Sequence, residues 1–476
     1  MKKNASTKKA RKSTDGIKIA EPISVDRRSS TDRKDEGKAM RLSVPLASHG
    51  KWHPPIQRRD PVEQLIESGI GRVPELLPIR YGRMIQSPFA FYRGTAAIMA
   101  ADLACLPFTG IRVQACGDCH LLNFGGFGTP ERQLVIGIND FDETLPAPWE
   151  WDIKRLTTSF VVAGLHNGFT KEEAREAAQS CVRSYREHMR EFSKMNILDL
   201  WYFNIDADAL LEKIEDEATK TRAKKRTARA HDRDVLDEDF PELVTFEGGA
   251  HRIRDNPPLI FHLQTEEEGM VEARVRDAFE SYRATLSEDR RLLLDHYEFK
   301  DMAMKVVGIG SVGSRCGIIL LMGGADDPLF LQVKQAQASV LEPYAGKSIY
   351  PNHGQRVAMG QRLMQSVSDI FLGWTEGVKG NQFYIRQMRD MKIKPMVELF
   401  EPAVMNLYAE TCAWALAGAH ARSGDSAKIA GYLGKKDDFD EAVADFSVAY
   451  ADQNELDYKA LVLAVREVRL EAYLES

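Results

Sequence analysis

Acidic and amide side chains are concentrated in the segment CGDCHLLNFGGFGTPERQLVIGINDFDE, residues 116–143. Asp118 is followed five residues later by Asn123, and Asp140 and Asp142 come shortly after an apolar run. Magnesium-dependent phosphoryl transfer needs one carboxylate to orient or deprotonate the attacking hydroxyl, and an amide and a second carboxylate to hold the metal on the phosphates. The spacing therefore predicts Asp118 as the catalytic carboxylate, Asn123 and Asp140 as magnesium ligands, and Asp142 as a second metal contact.

The same segment resembles the catalytic and metal-binding motifs of the aminoglycoside and choline phosphotransferases, a branch of the protein-kinase-like superfamily. In that branch the loop reads roughly His-Gly-Asp-x-His-x-x-Asn and is followed by Ile-Asp-Phe. The resemblance implies that His120 belongs to the catalytic loop with Asp118, and that Asn123 and Asp140 bind the metal. It also implies that Asp152, in WEWDIKRL, braces this loop.

Other interpretations of the segment exist. Cys116 stands where that branch has its first histidine, and Cys116, Cys119 and His120 form the C-x-x-C-H pattern of c-type haem attachment. Haem attachment would require export, and the N-terminus has no apolar signal segment. A zinc site through the two cysteines lacks a second ligand pair at matching spacing. A polar β-hairpin with solvated acids is the remaining alternative.

A glycine-rich loop follows a strand-like run downstream and contains Gly308, Gly310, Ser311 and Gly313. Dinucleotide-binding folds use the same G-x-G-x-x-G pattern, and Asp326 or Asp327 could mimic the acid that such folds require. However, only nine residues separate Gly313 from Gly323, and they are typical of one strand, so the required helix does not fit. Between two antiparallel strands, the loop has the kinase arrangement, in which backbone amides cover the ATP phosphates.

The next strand-like run, FLQVK, ends in Lys334 and resembles the Val-Ala-Ile-Lys strand of kinases. Its lysine would neutralise oxygens of the α- and β-phosphates. Glu342 is a candidate partner for this lysine, and Gln361 or Glu376 could occupy that space instead. The simpler interpretation is a surface lysine at the end of a strand.

The strand-like residues 383–387 and the following MRDMK resemble the hinge that cradles adenine in kinases, which implies adenine contacts at Gln387 and Met388. The helical run ETCAWALAGAHARSGD resembles the helix that normally leads into the catalytic loop. Here that loop lies about 300 residues earlier, as in a circular permutation, which is tolerated where termini lie close together. Alternatively, a helix over 94–106 precedes the loop. His420 and Asp425 either line the site or cap a helix end.

Residues 50–470 resemble the bacterial family of domain of unknown function 2252. The matching stretches are IRYGRMIQSPFAFYRG, CGDCHLLNFG, INDFDETLPAPWEWDIKRL, GQRLMQSVSDIFLGW, FYIRQMRDMK and AHARSGD. The first of them contributes Arg80, Arg83 and Arg93, which have no counterpart in simple phosphotransferases. Clustered arginines suit recognition of phosphate or carboxylate, or they pair with acids of the helical lobe. Lys154 and Arg155 are expected to be structural.

The composition is that of a soluble globular protein with two or three domains or lobes: 476 residues, 43% hydrophobic, with a mean hydropathy of −0.35. No apolar run reaches the length of a membrane span, and the N-terminus is polar, which predicts a cytoplasmic protein with free thiols. Residues 1–60 carry 16 Lys/Arg against 7 Asp/Glu. Residues 1–48 are predicted to be a disordered basic leader, with at most weak contact to nucleic acid or acidic lipid.

Hydrophobic periodicity predicts the elements that must position these residues. Helices are predicted over residues 60–79, 94–106, 150–195, 206–236 and 354–368, and from about 397 onwards. Strands are predicted at 111–115, 134–138 and 382–387, and in three pieces between 302 and 336. The prediction is an α+β, protein-kinase-like two-lobed fold in permuted order. Residues 49–298 and 395–476 would form the helical lobe and 299–394 the β lobe.

The combined prediction is an ATP- and Mg²⁺-dependent phosphotransferase acting on a hydroxyl acceptor, either a small molecule or a protein. Transfer of AMP uses a similar site with ATP reversed, and a non-catalytic nucleotide-binding regulator is a second alternative. Retention of Asp118 argues against the regulator, because a protein that only binds nucleotide has no need of that carboxylate. A dinucleotide-dependent oxidoreductase is the third alternative.

Overall fold

The computed structural model describes residues 19–212, 217–232, 240–257, 259–262, 268–306, 310, 312–324, 327–377, 380–388 and 391–474. The predicted phosphate-loop residues Gly308 and Ser311 lie outside the described residues, as does Asp326. Within the described ranges, no helix combines the length and the apolar character needed to cross a membrane.

Most strands in these ranges are short, and the longest three follow one another between residues 298 and 336. In chain order the strands are β1 (Arg112–Ala115), β2 (Phe124–Gly128), β3 (Leu134–Ile138), β4 (Leu145–Pro148), β5 (Ile205–Asp206), β6 (Val244–Glu247), β7 (Ala250–Ile253), β8 (Ile260–Phe261), β9 (Glu298–Lys305), β10 (Cys316–Met322), β11 (Pro328–Ala336), β12 (Gly373–Glu376) and β13 (Gln382–Gln387).

Helices form most of the remaining described structure. In chain order they are α1 (Ser30–Ala39), α2 (Pro61–Glu67), α3 (Leu77–Met84), α4 (Pro88–Tyr92), α5 (Ala96–Leu103), α6 (Trp149–His166), α7 (Lys171–Phe192), α8 (Ile197–Tyr202), α9 (Ala207–Leu211), α10 (Glu217–Asp232), α11 (Phe240–Leu243), α12 (Glu268–Arg283), α13 (Glu288–Leu294), α14 (Glu342–Ala345), α15 (His353–Met364), α16 (Pro402–Ser423), α17 (Ser426–Leu433) and α18 (Asp438–Arg466). The mixture confirms the predicted α+β class.

The largest sheet is antiparallel, with the strand order β12-β13-β11-β10-β9-β8. Successive side chains of a strand point to opposite faces. Leu331 and Val333 of β11 therefore share one face, where they pack with Tyr282 of α12. Gln332 and Lys334 point to the other face, which borders a large cavity. The sheet also includes β8, and α12 and α13 pack on its apolar face. These three elements precede the predicted lobe boundary at residue 298.

The main hydrophobic core is built by α6, α7, α16 and α18. Helix α6 is buried along almost its whole length, which matches a sequence that is apolar on more than one face. Helix α7 begins with a capping box, in which Thr170 and Glu173 each accept a hydrogen bond from the backbone of the other. These long helices form a rigid support behind residues 116–143.

Two small sheets present the two acidic loops side by side. Strands β2 and β3 form a hairpin with Phe124 opposite Ile138, and β1 pairs with β4. The loop that carries Asp118 connects β1 to β2, and the loop that carries Asp140 connects β3 to β4. The loops are tied together because the Asn139 amide donates to the Asn123 carbonyl at 2.7 Å.

The predicted strands at Leu134–Ile138 and Gln382–Gln387 are confirmed, whereas two predicted helices are interrupted. The helix expected over 60–79 ends at Glu67, because Gly71 takes a positive φ of 82° and residues 72–73 turn to contact the glycine loop. The helix expected over 150–195 is broken at Gly168, whose φ is 89°. The helix expected over 206–236 corresponds to α9 and α10, and residues 213–216 and 233–239 lie outside the described residues.

The prediction of a disordered leader through residue 48 is wrong for its second half. Helix α1 packs against α17 through two glycines, whose missing side chains let the backbones touch. A Cβ on Gly37 would lie 2.0 Å from the Lys428 carbonyl oxygen, and one on Gly431 would lie 2.1 Å from the Lys34 carbonyl oxygen. Polar composition hides this contact, because it depends on backbone approach rather than on apolar side chains. Residues 1–18 lie outside the described residues.

The substitution Gly37→Ala tests this contact. Alanine is the better helix former by about 1 kcal/mol, so any loss must come from the clash with Lys428. We expect the α1 amides to exchange with solvent roughly tenfold to hundredfold faster, as for about 1–3 kcal/mol of overpacking. Hydrogen exchange read by mass spectrometry measures this. Gly324→Ala is the matched control, because nothing lies within 4 Å of its added Cβ; equal protection of α1 in both variants would contradict the contact.

Candidate functional site

A cavity of about 1020 Å³ lies between the polar face of the six-stranded sheet and the two acidic loops. Its lining is rich in charge. The cationic residues that line it are Arg83, Arg93, Arg132, Lys305, Lys334, Arg386, Lys392 and Lys394. The acidic residues that line it are Asp118, Asp140, Asp142, Glu143, Asp327 and Asp369. Among the described residues of the lining, eight cations stand against six acids, a surplus of positive charge.

The structure brings Lys334 together with both downstream carboxylates of the acidic segment. The Lys334 Nζ lies 2.7 Å from Asp142 Oδ2 and 3.6 Å from Asp140 Oδ2. Tyr384, the neighbour of Lys334 on β13, donates its hydroxyl to Asp142 Oδ1 at 2.7 Å. Only 3% of Lys334 is exposed. Burial alone would lower its pKa, but the two carboxylates raise that pKa well above its usual value, so the ammonium stays charged.

Asp140 is the more accessible carboxylate of this pair, with 35% of its side chain exposed to the cavity. Burial raises its pKa, but the charges of Lys334 and Arg386 outweigh burial, and the resulting pKa lies below the usual aspartate value. Asp140 is therefore ionised at neutral pH. Its Oδ1 accepts a hydrogen bond from the Asp142 amide at 3.2 Å, and its Oδ2 lies 3.6 Å from Lys334 Nζ. A carboxylate oxygen can accept more than one contact, so Asp140 can still bind a cation.

Asp118 is held by a buried arginine. Arg155 of α6 donates to Asp118 Oδ1 from Nε at 2.8 Å and from Nη2 at 2.5 Å. The other oxygen, Oδ2, lies 4.0 Å from His120 Nε2, and a Cβ built on Gly310 would lie 3.8 Å from it. One carboxylate oxygen is thus fixed, and the other faces the glycine loop and the cavity. Arg155 was expected to be structural, and in the structure it holds Asp118 in place.

His120 lies in the cavity wall as a neutral imidazole. Burial lowers its pKa to about 3, and the attraction of Asp118 does not compensate. Its Nδ1 is buried without a hydrogen-bond partner among the described residues. Because a neutral ring has one nitrogen that donates and one that accepts, His120 can bind a substrate group but carries no charge near neutral pH.

Asn123 joins the two acidic loops at their base. Its Nδ2 donates to the Asp118 carbonyl at 2.6 Å, which leaves the amide oxygen as the atom that could bind a metal. In the described part of the chain, no group of three or more Asp, Glu, His or Cys side chains is arranged to hold a metal ion. Asn123 and Asp140 both line the cavity.

Asp152 braces the loop that carries Asp118, as predicted. Its carboxylate accepts from the Cys116 amide at 2.6 Å and from the Gly117 amide at 3.0 Å. His420 of α16 contacts the same carboxylate at 3.1 Å through Nε2. His420 is thus part of the brace rather than a cavity residue. Asp425 caps α17, accepting from the backbone amides of residues 427 and 428.

The glycine loop and the predicted adenine contacts also border the cavity. Gly310 lies in the cavity wall, and Gly313 has a φ of 87° and accepts from the Val73 amide at 2.7 Å. Gln387 and Met388 line the same cavity at the end of β13.

The proposed pairing of Glu342 with Lys334 is wrong. Within the described residues the ion pairs of Lys334 are with Asp140 and Asp142, whereas Glu342 opens α14 and faces His353 at 3.8 Å. Glu342 follows the lysine strand too closely in sequence to return to it. Gln361 of α15 lines the cavity, whereas Glu376 on β12 is not part of the lining.

Sequence reasoning missed several residues that shape the site. Arg356 of α15 is fully buried and donates to the carbonyls of Asp142, Thr144 and Gln337 at 2.7–2.9 Å. This arginine fixes the backbone beside Lys334. Nothing in the helical pattern of α15 distinguishes it. Arg386 could have been found, because it lies two residues after Tyr384 on the face that Lys334 shares.

Lys392 is a cavity-lining lysine with a strongly lowered pKa. Burial and the neighbouring charges of Arg386 and Lys394 lower its pKa to about 7. Among the described residues, Lys392 forms neither an ion pair nor a side-chain hydrogen bond. A lysine in this state gains its charge readily when an anion approaches.

Together, fold and site define a mixed α+β protein with a basic, carboxylate-containing cleft between an antiparallel sheet and a helical core. The chain belongs to the family described as uncharacterized proteins conserved in bacteria (DUF2252), whose model matches residues 72–464. No curated protein and no solved structure matches the chain.

The brace can be tested by Asp152→Ala. The substitution leaves two buried amides and the His420 ring without an acceptor, and each such loss costs about 1–3 kcal/mol. We expect the free energy of unfolding to fall by at least about 3 kcal/mol in urea denaturation. Asp452→Ala removes an exposed carboxylate that pairs with Lys171 and should leave stability within error. Equal stability of the two variants would exclude the bracing role.

Proposed function

We propose that this protein is an ATP- and Mg²⁺-dependent phosphotransferase that acts on a hydroxyl acceptor. The observation that carries the proposal is that Lys334 lies beside Asp140 and Asp142, in one cavity with Asp118. Lys334 and Asp142 are 192 residues apart in sequence. A phosphate clamp, a metal site and an acceptor-orienting carboxylate are the three parts that phosphoryl transfer requires.

The order of the strands supports a kinase-like two-lobed fold. Strands β9, β10 and β11 form a meander, with the glycine loop between the first two and Lys334 on the third. Kinases place the phosphate-covering loop and the lysine in this arrangement. Helix α15 follows the lysine strand, and β13 ends at Gln387. The catalytic loop precedes these elements in sequence, and α16 reaches back to brace it through His420, as a circular permutation would require.

In this proposal the nucleotide phosphates occupy the basic part of the cavity. The glycine loop, of which Gly310 lines the cavity, covers them with backbone amides, and Lys334 binds oxygens of the α- and β-phosphates. The pair with Asp142 holds the Lys334 ammonium at the cavity wall. Adenine lies against Gln387 and Met388. The surplus of cations over acids in the lining suits the charge of a triphosphate.

The metal and the acceptor lie on the opposite wall. Asn123 and Asp140 would hold Mg²⁺, which neutralises charge on the phosphates when bound. Asp118 orients the acceptor hydroxyl through Oδ2, since Oδ1 is fixed by Arg155. His120, uncharged and beside Asp118, offers a neutral hydrogen bond to the same acceptor. We place the activity in the cytoplasm, where ATP is available.

Binding of the nucleotide is tested with Lys334→Met. A hydrogen bond to a charged group contributes about 1.5–3 kcal/mol, so the affinity for MgATP should fall by at least tenfold. Isothermal titration with MgATP measures the effect. Lys300→Met on β9 is the control, because Lys300 pairs only with Glu298 at the surface. Unchanged MgATP affinity in Lys334→Met, or stabilisation of the wild type by NAD alone, would refute the proposal.

Transfer is tested with Asp118→Asn, which keeps the shape and the acceptor oxygen facing Arg155. ATP labelled at the γ- or the α-phosphate is incubated with the protein, Mg²⁺ and a deproteinised bacterial metabolite extract. We expect γ-label in a small-molecule product, reduced about 10²–10⁴-fold in Asp118→Asn. Transfer of the α-label would instead indicate an AMP transferase. Binding of MgATP without transfer would indicate a nucleotide-binding regulator, and full activity of Asp118→Asn would remove the role of that carboxylate.

The affinity for MgATP should also depend on pH through Lys392. With a pKa of about 7, this lysine is charged below pH 7 and neutral above it, and a bound phosphate favours the charged form. The contribution of Lys392 to affinity is therefore complete at pH 6 and declines as the pH rises above 7. Titrations at pH 6 and 8 should differ by several-fold more in the wild type than in Lys392→Met. Identical pH profiles would show that Lys392 does not contact the nucleotide.

A further inference from the structure

The segment from residue 68 to residue 94 bridges the glycine loop and the catalytic carboxylate. Arg72 donates through Nη1 to the Val312 carbonyl at 2.6 Å, next to the bond between Val73 and Gly313. At the other end of the segment, a Cβ on Gly310 would lie 3.6 Å from the Arg93 carbonyl oxygen. This segment therefore lies beside the glycine loop, at the point where Gly310 borders Asp118 Oδ2.

The arginines predicted as a cluster have different environments. Arg80 is buried and is anchored locally, donating through Nη1 to Ser68 Oγ at 3.0 Å and through Nη2 to the Gly94 carbonyl at 3.2 Å. It does not line the cavity and is a structural residue. Arg83 and Arg93 both line the cavity. The arginine cluster is thus divided between a local anchor and side chains that face the proposed acceptor.

Arg93 lines the cavity. Within the described part of the chain it forms no ion pair, and its buried Nε has no hydrogen-bond partner. Arg93 and Asp118 line the same cavity, and a Cβ on Gly310 would lie 3.6 Å from the Arg93 carbonyl oxygen and 3.8 Å from Asp118 Oδ2. Burial lowers the pKa of Arg93, and the charge of Asp118 opposes this effect. Asp118 Oδ1 is already occupied by Arg155. Desolvating a guanidinium without a partner is costly, which favours an anion from outside the chain.

Resting on the proposed function, we propose that Arg93 binds the anionic group of the acceptor, which is a small hydroxyl compound carrying a phosphate or a carboxylate. The planar guanidinium suits both oxyanions, because its parallel N–H groups match two oxygens. The acceptor is small because Arg93 is largely enclosed, and a cavity of about 1020 Å³ must also hold the nucleotide.

The reaction places the acceptor between Arg93 and Asp118. The acceptor hydroxyl oxygen forms a bond to the γ-phosphorus, and the bond from that phosphorus to the β–γ bridging oxygen breaks. The bridging oxygen keeps the electron pair and leaves with ADP. The hydroxyl proton passes to Asp118 Oδ2 and then to solvent. Arg93 takes no part in bond making; it fixes the anionic end so that the hydroxyl lies beside Asp118.

The test uses the full-length protein saturated with Mg²⁺ and the non-hydrolysable β,γ-imido analogue of ATP. Inorganic phosphate and glycerol 3-phosphate probe the phosphate arm, D-glycerate probes the carboxylate arm, and glycerol is the neutral control. We expect the wild type to bind at least one anionic probe and not glycerol. Arg93→Gln should bind that probe at least tenfold more weakly, as expected for loss of a charge-assisted hydrogen bond, and Arg93→Lys should be intermediate.

Arg59→Gln is the matched control, because Arg59 is an exposed residue of the same N-terminal region that pairs with Glu67. Affinity for the imido analogue is measured for every variant. Anion binding by Arg93→Gln that equals the wild type, no anion binding by the wild type, or equal loss of nucleotide and anion in Arg93→Gln would each overturn the assignment and leave the proposed function standing. Failure of the wild type to bind the nucleotide analogue would overturn both.

Discussion

A buried ion pair between Lys334 and the Asp140–Asp142 loop connects the two halves of the cleft. Burying an ammonium is unfavourable unless carboxylates accompany it, and each carboxylate is likewise tolerated because the ammonium is there. The polar face of the six-stranded sheet must therefore lie against the acidic loops. Every other feature of the site depends on this constraint, because it sets the distance between a sheet and a loop that are far apart in sequence.

Around that pair, buried polar side chains fix the backbone of the acidic loops. Asp152 accepts hydrogen bonds from two loop amides, and Arg155 donates to one oxygen of Asp118. Arg356 donates hydrogen bonds to three backbone carbonyls. Such groups add little net stability in comparison with apolar packing, but leaving any one unpaired is costly. They therefore select one loop geometry. Asp140 and the free oxygen of Asp118 are left facing the cavity, where ligands rather than protein atoms can satisfy them.

Sequence patterns correctly predicted elements whose structure depends on neighbouring residues. They failed for elements whose structure depends on contacts with distant parts of the chain. The alternation of FYIRQ and LVIGI was sufficient for β13 and β3, and the spacing of Asp118 and Asn123 identified the loop that lines the cavity. Glu342 was a candidate partner for Lys334, although the partners in the structure come from a loop near residue 140. The helix expected over 60–79 breaks at Gly71 because residues 72–73 bond to the glycine loop, a contact that no local pattern contains.

The sequence by itself determined the α+β class and the family. It also predicted which carboxylates, which lysine and which glycines would form one site. Residue type and short-range periodicity suffice for that, because secondary structure and motif spacing are local properties. Only the tertiary structure decided which side chains remain free. Arg80, Arg93 and Arg155 cannot be distinguished by type, yet one is anchored, one faces the cavity and one clamps Asp118. That difference arises because pairing and burial depend on neighbours supplied by distant parts of the chain.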